Sequence, residues 1–275
     1  MGVLDEKVAV VTGAGRGIGR ATAQLLAEHG ARVVVADLDG DAAREAAGAL
    51  AGEATVYAGN IVEDGAPEAL VQTAIDAWGR LDIVVNNAGY TLDGALHKLS
   101  DDWFQRMLDI HVVAPFRILR AAAPHLREPA KAERERGEEV FRKVVNVTSI
   151  SGTMGNPGQA NYAAGKMGVV GLTKTLAKEW GQFKINVNAV AFGYVETRLT
   201  ATKDDANAFE IDGERVQLGI PDQLRSMAAT FIPLGRAATP EEAAGGIFFL
   251  CSPWSNYVHG QVLNVTGGNI SGMTA

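Results

Sequence analysis

Apolar residues in this chain fall into short β-branched runs, separated by longer stretches in which they recur every three or four positions. The runs Lys7–Thr12, Arg32–Ala36, Ala54–Ala58, Leu81–Val85, Lys143–Val147, Ile185–Val190 and Gln261–Val265 predict strands. Most are continuously apolar rather than alternating, as strands covered on both faces must be. Between them, Gly19–His29, Ala66–Trp78, Asp101–Leu126, Ala160–Gly181 and Pro240–Cys251 carry the helical period. This β-α-β-α order implies an α/β fold, a parallel sheet with helices on both faces. Seven strands fill one doubly wound domain over residues 1–275, and no linker, repeat or low-complexity tract divides it.

Two stretches stand outside that rhythm. Arg127–Lys143 holds six basic and five acidic residues with signs interleaved, which predicts a solvated helical extension rather than a nucleic-acid surface. Thr200–Pro233 is long for an αβ connection, and loops of that length usually serve function. Within it, Asp212-Gly213 lies between short strand-like arms, a two-residue hairpin signal. That hairpin would set Glu210 opposite Arg215 and Phe209 opposite Val216. The segment is expected to form a flap over the substrate.

Composition narrows the setting. A chain that is 47% hydrophobic with 32 glycines is globular, and a net charge of −7 gives no general pull toward nucleic acid or anionic membrane. The lone Cys251 excludes an internal disulfide and fits a reducing compartment. No apolar run approaches the roughly 20 residues needed to span a bilayer, and Met1 to Lys7 lack the pattern of a secretory signal. A soluble, cytoplasmic protein is expected.

Candidate chemistry begins at the first strand, which ends in Thr12-Gly-Ala-Gly-Arg-Gly-Ile-Gly19 before a helix. Glycines there let the chain turn tightly and let backbone N–H groups approach a pyrophosphate at the helix N-terminus. The compact G-x-G-x-x-G spacing is absent; Gly13, Gly17 and Gly19 form a wider one. Asp37, at the end of the second strand, can accept both ribose hydroxyls of an adenosine and would repel a 2′-phosphate, which favours NAD(H) over NADP(H). Arg16 leaves NADP(H) open, since it could meet a 2′-phosphate if Asp37 turned away.

Thr12–Gly19, Asn86-Asn-Ala-Gly89, Ser149, Tyr162-Ala-Ala-Gly-Lys166 and Gly267-Gly268 occur in the order seen in the short-chain dehydrogenase/reductase family, which the chain resembles over nearly its full length. Gly152–Tyr162 is most similar to the 3-oxoacyl carrier-protein reductases of that family. The resemblance implies a Rossmann-type domain and cofactor contacts from Gly13, Arg16, Gly17, Ile18, Gly19, Asp37, Asn60, Ile61, Asn87, Ala88, Gly89, Gly193, Val195 and Thr197, together with Tyr162 and Lys166. It places Asn86 beside the cofactor and implies an acyl-thioester substrate on acyl carrier protein or coenzyme A, with Gln159 on the substrate side. It also implies a homotetramer or homodimer built on the long helices and the C-terminal region. Two positions depart from the family pattern: Asn60 stands where an aspartate is usual, and Phe192-Gly193 where Pro-Gly is usual.

The chemistry needs a hydride on carbon and a proton on oxygen. Tyr162 is the expected acid/base, with Lys166 one helical turn away lowering its pKa, and the Ser149 hydroxyl would hold the substrate oxygen where charge develops. His111 replaces an asparagine that supports a water relay in the family. An imidazole also donates and accepts, and it titrates near neutrality, so His111→Asn is expected to change the pH profile. The same residues would suit another secondary alcohol, such as a steroid or cyclic diol, and a silent NAD-binding regulator is the rival outside enzymes.

Overall fold

The computed structural model describes residues 2–201, 208–211, 214–217, 219 and 230–269. Its strands are β1 (Val8–Thr12), β2 (Arg32–Asp37), β3 (Ala54–Ala58), β4 (Ile83–Asn86), β5 (Arg142–Ser149), β6 (Ile185–Phe192), β7 (Ala208–Ile211), β8 (Glu214–Gln217) and β9 (Val262–Val265). The helices are α1 (Gly17–Glu28), α2 (Gly40–Gly48), α3 (Ala66–Trp78), α4 (Asp101–Leu108), α5 (Ala114–Glu135), α6 (Ile150–Met154), α7 (Ala160–Trp180) and α8 (Pro240–Cys251). One sheet runs β3-β2-β1-β4-β5-β6-β9 with every neighbouring pair parallel, as the strand and helix alternation predicts.

Continuous apolarity in β1 serves two cores at once. Val8 and Val10 pack with Leu70, Ile118 and Leu126 of α3 and α5 on one face. Ala9 and Val11 pack with Leu26 of α1 and Ile247 of α8 on the other. The edge strand β3 departs from this pattern and is only half-buried, because its outer side has no strand neighbour.

Two expectations are corrected. The helix predicted over Asp101–Leu126 is interrupted by a π-helical turn at Asp109–Val113. Pro115 explains it: proline has no N–H to give the His111 carbonyl, and its ring would clash there in a regular helix. In the charged stretch, the helix ends at Glu135 and the last two residues begin β5, where Arg142 and Lys143 are buried. Arg142 is met by Glu133 through two bonds of 2.7 and 2.8 Å, and Lys143 donates to Asn186, Ser255 and Asn256. Asp39 caps α2 by accepting from the Asp41 and Ala42 N–H groups.

The hairpin in the long connection pairs β7 and β8 antiparallel, with Phe209 opposite Val216 and Glu210 opposite Arg215 as the turn signal predicts. Asp212, Gly213 and most of the expected flap lie outside the described residues. Among the described residues, no helix is long and apolar enough to cross a membrane.

From β1 the strand order runs one way through β2 to β3 and the other way through β4 to β9. The helices that follow β1 and β4 therefore pack on opposite faces and leave a crevice at the carboxyl ends of the strands, where doubly wound sheets bind ligands.

Candidate active site

The turn after β1 is sewn to the loop after β4. The Thr12 hydroxyl accepts from the Asn87 and Ala88 N–H groups, both at 3.0 Å. The Asn87 carboxamide donates to the Thr12 and Gly13 carbonyls at 2.9 and 3.2 Å. Gly13 and Gly17 both take positive φ, +63° and +53°, and a side chain on Gly19 would collide with the Gly13 carbonyl. The N-terminus of α1 carries no side-chain cap, so its first N–H groups face the crevice.

That crevice is a cleft of about 720 Å³. Of the residues the sequence assigns to a cofactor, Gly13, Arg16, Gly17, Ile18, Gly19, Asp37, Asn60, Ile61, Asn87, Ala88, Gly89 and Thr197 all line it. Gly193, Val195, Tyr162 and Lys166 do not. Val195 is buried and bridges Ala238, and Gly193 packs on Thr266, so both support the wall from behind. Asn86 also stands behind it, donating its amide to Asn146 in the core. Leu38, Tyr90, Ile110, Arg198 and Leu199 join the lining, brought there by loops whose sequence carries no marker of the role.

The Asp37 carboxylate is fixed at the end of β2. One oxygen accepts the Gly15 N–H at 2.9 Å and the other the Asp39 N–H at 3.0 Å. Arg16 is turned to Asp39 at 2.7 Å. Backbone hydrogen bonds from α2 and the Arg16 guanidinium hold the Asp39 carboxyl below its ordinary value. The cleft thus has the glycine turn, an uncapped helix end and a carboxylate at the far side, a donor and acceptor set that fits an adenine dinucleotide.

Ser149, Tyr162, Lys166 and His111 come together beside it, from β5, α7 and the π-turn. Ser149 ends β5 and caps α6, accepting the Ser151 N–H at 3.1 Å. Asn161, fully buried, places the first turn of α7: its amide donates to the Leu92 and Trp103 carbonyls, and its oxygen accepts the Tyr162 N–H at 2.8 Å. The sequence analysis passes over Asn161, because its role depends on two carbonyls some 60 residues away, at separations of 69 and 58. Lys166 lies 5.5 Å from the Tyr162 ring centroid, and its ammonium donates to the Val147 carbonyl at 2.9 Å.

The electrostatics reverse one expectation. Burial pushes the Tyr162 phenol up to about 12, against a hydrogen bond from Ser149 that pulls it down, and the Asp93 carboxylate adds to the rise. Burial likewise brings the Lys166 ammonium down to about 7. Helical spacing does bring the two together, but desolvation penalises both charges. The described site holds a protonated phenol.

His111 is 2% exposed, with its ring edge-on to Tyr162 at 5.0 Å and 87°. Its Nε2–H donates to the Tyr90 carbonyl at 2.9 Å, which leaves Nδ1 a buried lone pair with no partner among the described residues. Burial, reinforced by the Lys166 charge, holds its pKa well below 6.5, so the expectation of titration near neutrality is corrected. Gln159 stands at the start of α7 and donates to Asp93 at 3.1 and 3.2 Å while accepting from Asn156 at 2.9 Å.

Comparison with known proteins meets this geometry. The family model described as enoyl-(acyl carrier protein) reductase matches residues 13–269. The chain is 36% identical to the 3-oxoacyl-[acyl-carrier-protein] reductase FabG of Thermotoga maritima, covering 96% of this chain and 98% of that protein. It is 37% identical to the 3-oxoacyl-[acyl-carrier-protein] reductase of Synechocystis, covering 98% and 99%. Among solved structures, a 3-ketoacyl-(acyl-carrier-protein) reductase from Brucella melitensis complexed with NADH superposes with a TM-score of 0.82 at 30% identity, covering 97% of this chain and 99% of that one.

Proposed function

Because the chain belongs to the short-chain dehydrogenase/reductase family and is an oxidoreductase, we propose that it interconverts 3-oxoacyl and 3-hydroxyacyl thioesters with NAD(H), as one dinucleotide-binding and catalytic domain acting in the cytoplasm. The observation that carries the reading is the cluster of Ser149, Tyr162 and Lys166 beside a cleft that has Asp37 fixed at its far end. The 3-oxoacyl reductases it resembles supply the substrate class.

When bound, the dihydronicotinamide supplies the hydride for the substrate carbon. Tyr162, protonated, donates the proton to the substrate oxygen in reduction, and its phenolate takes it back in oxidation. The Ser149 hydroxyl, already hydrogen-bonded to that phenol, donates to the same oxygen where charge develops. Lys166 is anchored to β5 beside the phenol by the Val147 carbonyl, where its charge, present below about pH 7, favours the phenolate, while Thr148 bonds its backbone carbonyl at 2.6 Å. Phe104, Phe116 and Met167, exposed on α4, α5 and α7, would bury in a dimer or tetramer.

NADH assays against acetoacetyl and longer thioesters test the proposal, with a crotonyl thioester and a panel of secondary alcohols alongside. Absence of turnover on every 3-oxoacyl thioester overturns the substrate assignment. NADH binding without oxidation by any carbonyl overturns catalysis itself.

Asp37 sets the cofactor. Asp37→Ala is expected to lower the NADH-to-NADPH ratio of kcat/KM by about 10- to 100-fold, because a like charge facing the 2′-phosphate is removed. An unchanged ratio refutes that role. Protonation sets the direction. With the phenol near 12, reduction has its acid across neutral pH, whereas oxidation needs the phenolate and should rise from about pH 7 to 10. His111→Asn should leave the midpoints of both profiles where they are, since the imidazole stays neutral above pH 6.5. A midpoint displaced by this substitution would restore the titrating relay.

A further inference from the structure

Arg198 has no family motif to mark it, yet it lines the dinucleotide cleft. It belongs to a tied turn after β6. The Thr200 hydroxyl accepts the Thr197 N–H at 3.0 Å and donates to the Val195 carbonyl. The Thr200 N–H donates to the Thr197 carbonyl at 3.0 Å, and the Tyr194 hydroxyl to the Thr200 carbonyl at 3.2 Å. This turn overhangs the glycine loop, since a Cβ on Gly17 would lie 3.7 Å from the Thr197 methyl. The turn thereby brings Arg198 into the lining of the same cleft as the uncapped N-terminus of α1.

Its electrical surroundings point the same way. Burial and the Arg16 guanidinium lower its basicity, while Asp37 and Asp39 oppose them, so Arg198 faces the end of the cleft that those three residues form. Arg16 is already engaged by Asp39 at 2.7 Å. Among the described residues, no acceptor lies within hydrogen-bond distance of the Arg198 guanidinium. Asp37, Asp39 and Arg16 by themselves leave one net negative charge at one end of a cleft that a dianionic linker must enter.

We propose that Arg198 clamps the diphosphate of the bound dinucleotide from the side opposite the glycine turn. The inference rests on the dinucleotide reading above. The α1 N-terminus offers N–H donors and partial positive charge from one side. The guanidinium offers charge-assisted hydrogen bonds from the other and offsets Asp37.

The test titrates the full-length chain and its Arg198→Ala and Arg198→Lys variants with NADH by fluorescence, using ADP-ribose and adenosine as competitors. Arg198→Ala should weaken NADH and ADP-ribose by about 10- to 100-fold and flatten their salt dependence, with adenosine, which carries no phosphate, within about twofold. Arg198→Lys should restore part of the loss, because the charge returns without the bidentate fork. If the alanine variant melts early, Arg198→Gln carries the same comparison. ADP-ribose binding as tight in the variant as in the unaltered chain overturns the clamp and leaves the dinucleotide reading standing. A loss confined to NADPH also overturns it, since the guanidinium would then serve the 2′-phosphate. Failure of the unaltered chain to bind any dinucleotide overturns both.

Discussion

Replacing Tyr162 by phenylalanine is expected to cut turnover by about 10²- to 10⁴-fold while the chain still folds and binds NADH, the range that loss of a positioned proton donor produces. The ring that packs edge-on against His111 is retained, and Asn161 still holds the backbone at the start of α7. Only the oxygen is lost, and with it the hydrogen bond to Ser149. NADH affinity separates this outcome from misfolding, because the cleft is lined by other residues. A variant that keeps more than about a tenth of the activity would show that the proton comes from elsewhere, and the chemical proposal would fall.

The second large effect is structural. Gly19→Ala would drive a methyl group into the Gly13 carbonyl and to 2.6 Å from the Asn87 amide. Both atoms belong to the stitching that joins the loops after β1 and β4, so the turn has to move. Overpacking of this kind costs about 1–3 kcal/mol, equivalent to a melting temperature lower by roughly 2–10 °C. NADH affinity should fall by about 100-fold, because the N–H groups of the turn no longer converge. Gly17→Ala is the control: its positive φ is strained, but the nearest atom is a comfortable 3.7 Å away. It should cost only about 1 kcal/mol, the left-handed penalty alone. Equal binding losses in the two variants would show that crowding at Gly19 is not what matters.

The parallel sheet, the glycine turn and the one-turn spacing of Tyr162 and Lys166 were legible in the sequence because each is a local pattern. A strand buried on two faces must be apolar throughout, and a tight turn must use glycine. Even the β7–β8 register followed from two turn residues and the alternation around them. Where the apolar spacing misled, a proline inside it or a distant partner was responsible. Pro115 broke a helix whose apolar spacing continues through it. Arg142 and Lys143 looked solvated until Glu133, Asn186, Ser255 and Asn256 supplied buried partners.

The sequence by itself determined which elements form, in what order, and which reactive groups stand at their ends, because hydrophobic period and turn chemistry act over a few residues. Only the tertiary structure decided the protonation of those groups. Tyr162 and Lys166 moved as they did because folding removed water from both, and His111 stays neutral because its ring is buried near the Lys166 charge, against a hydrogen bond to the Tyr90 carbonyl that favours protonation. The same holds for Arg198, which reaches the cleft only because the turn after β6 folds over the glycine loop that follows β1.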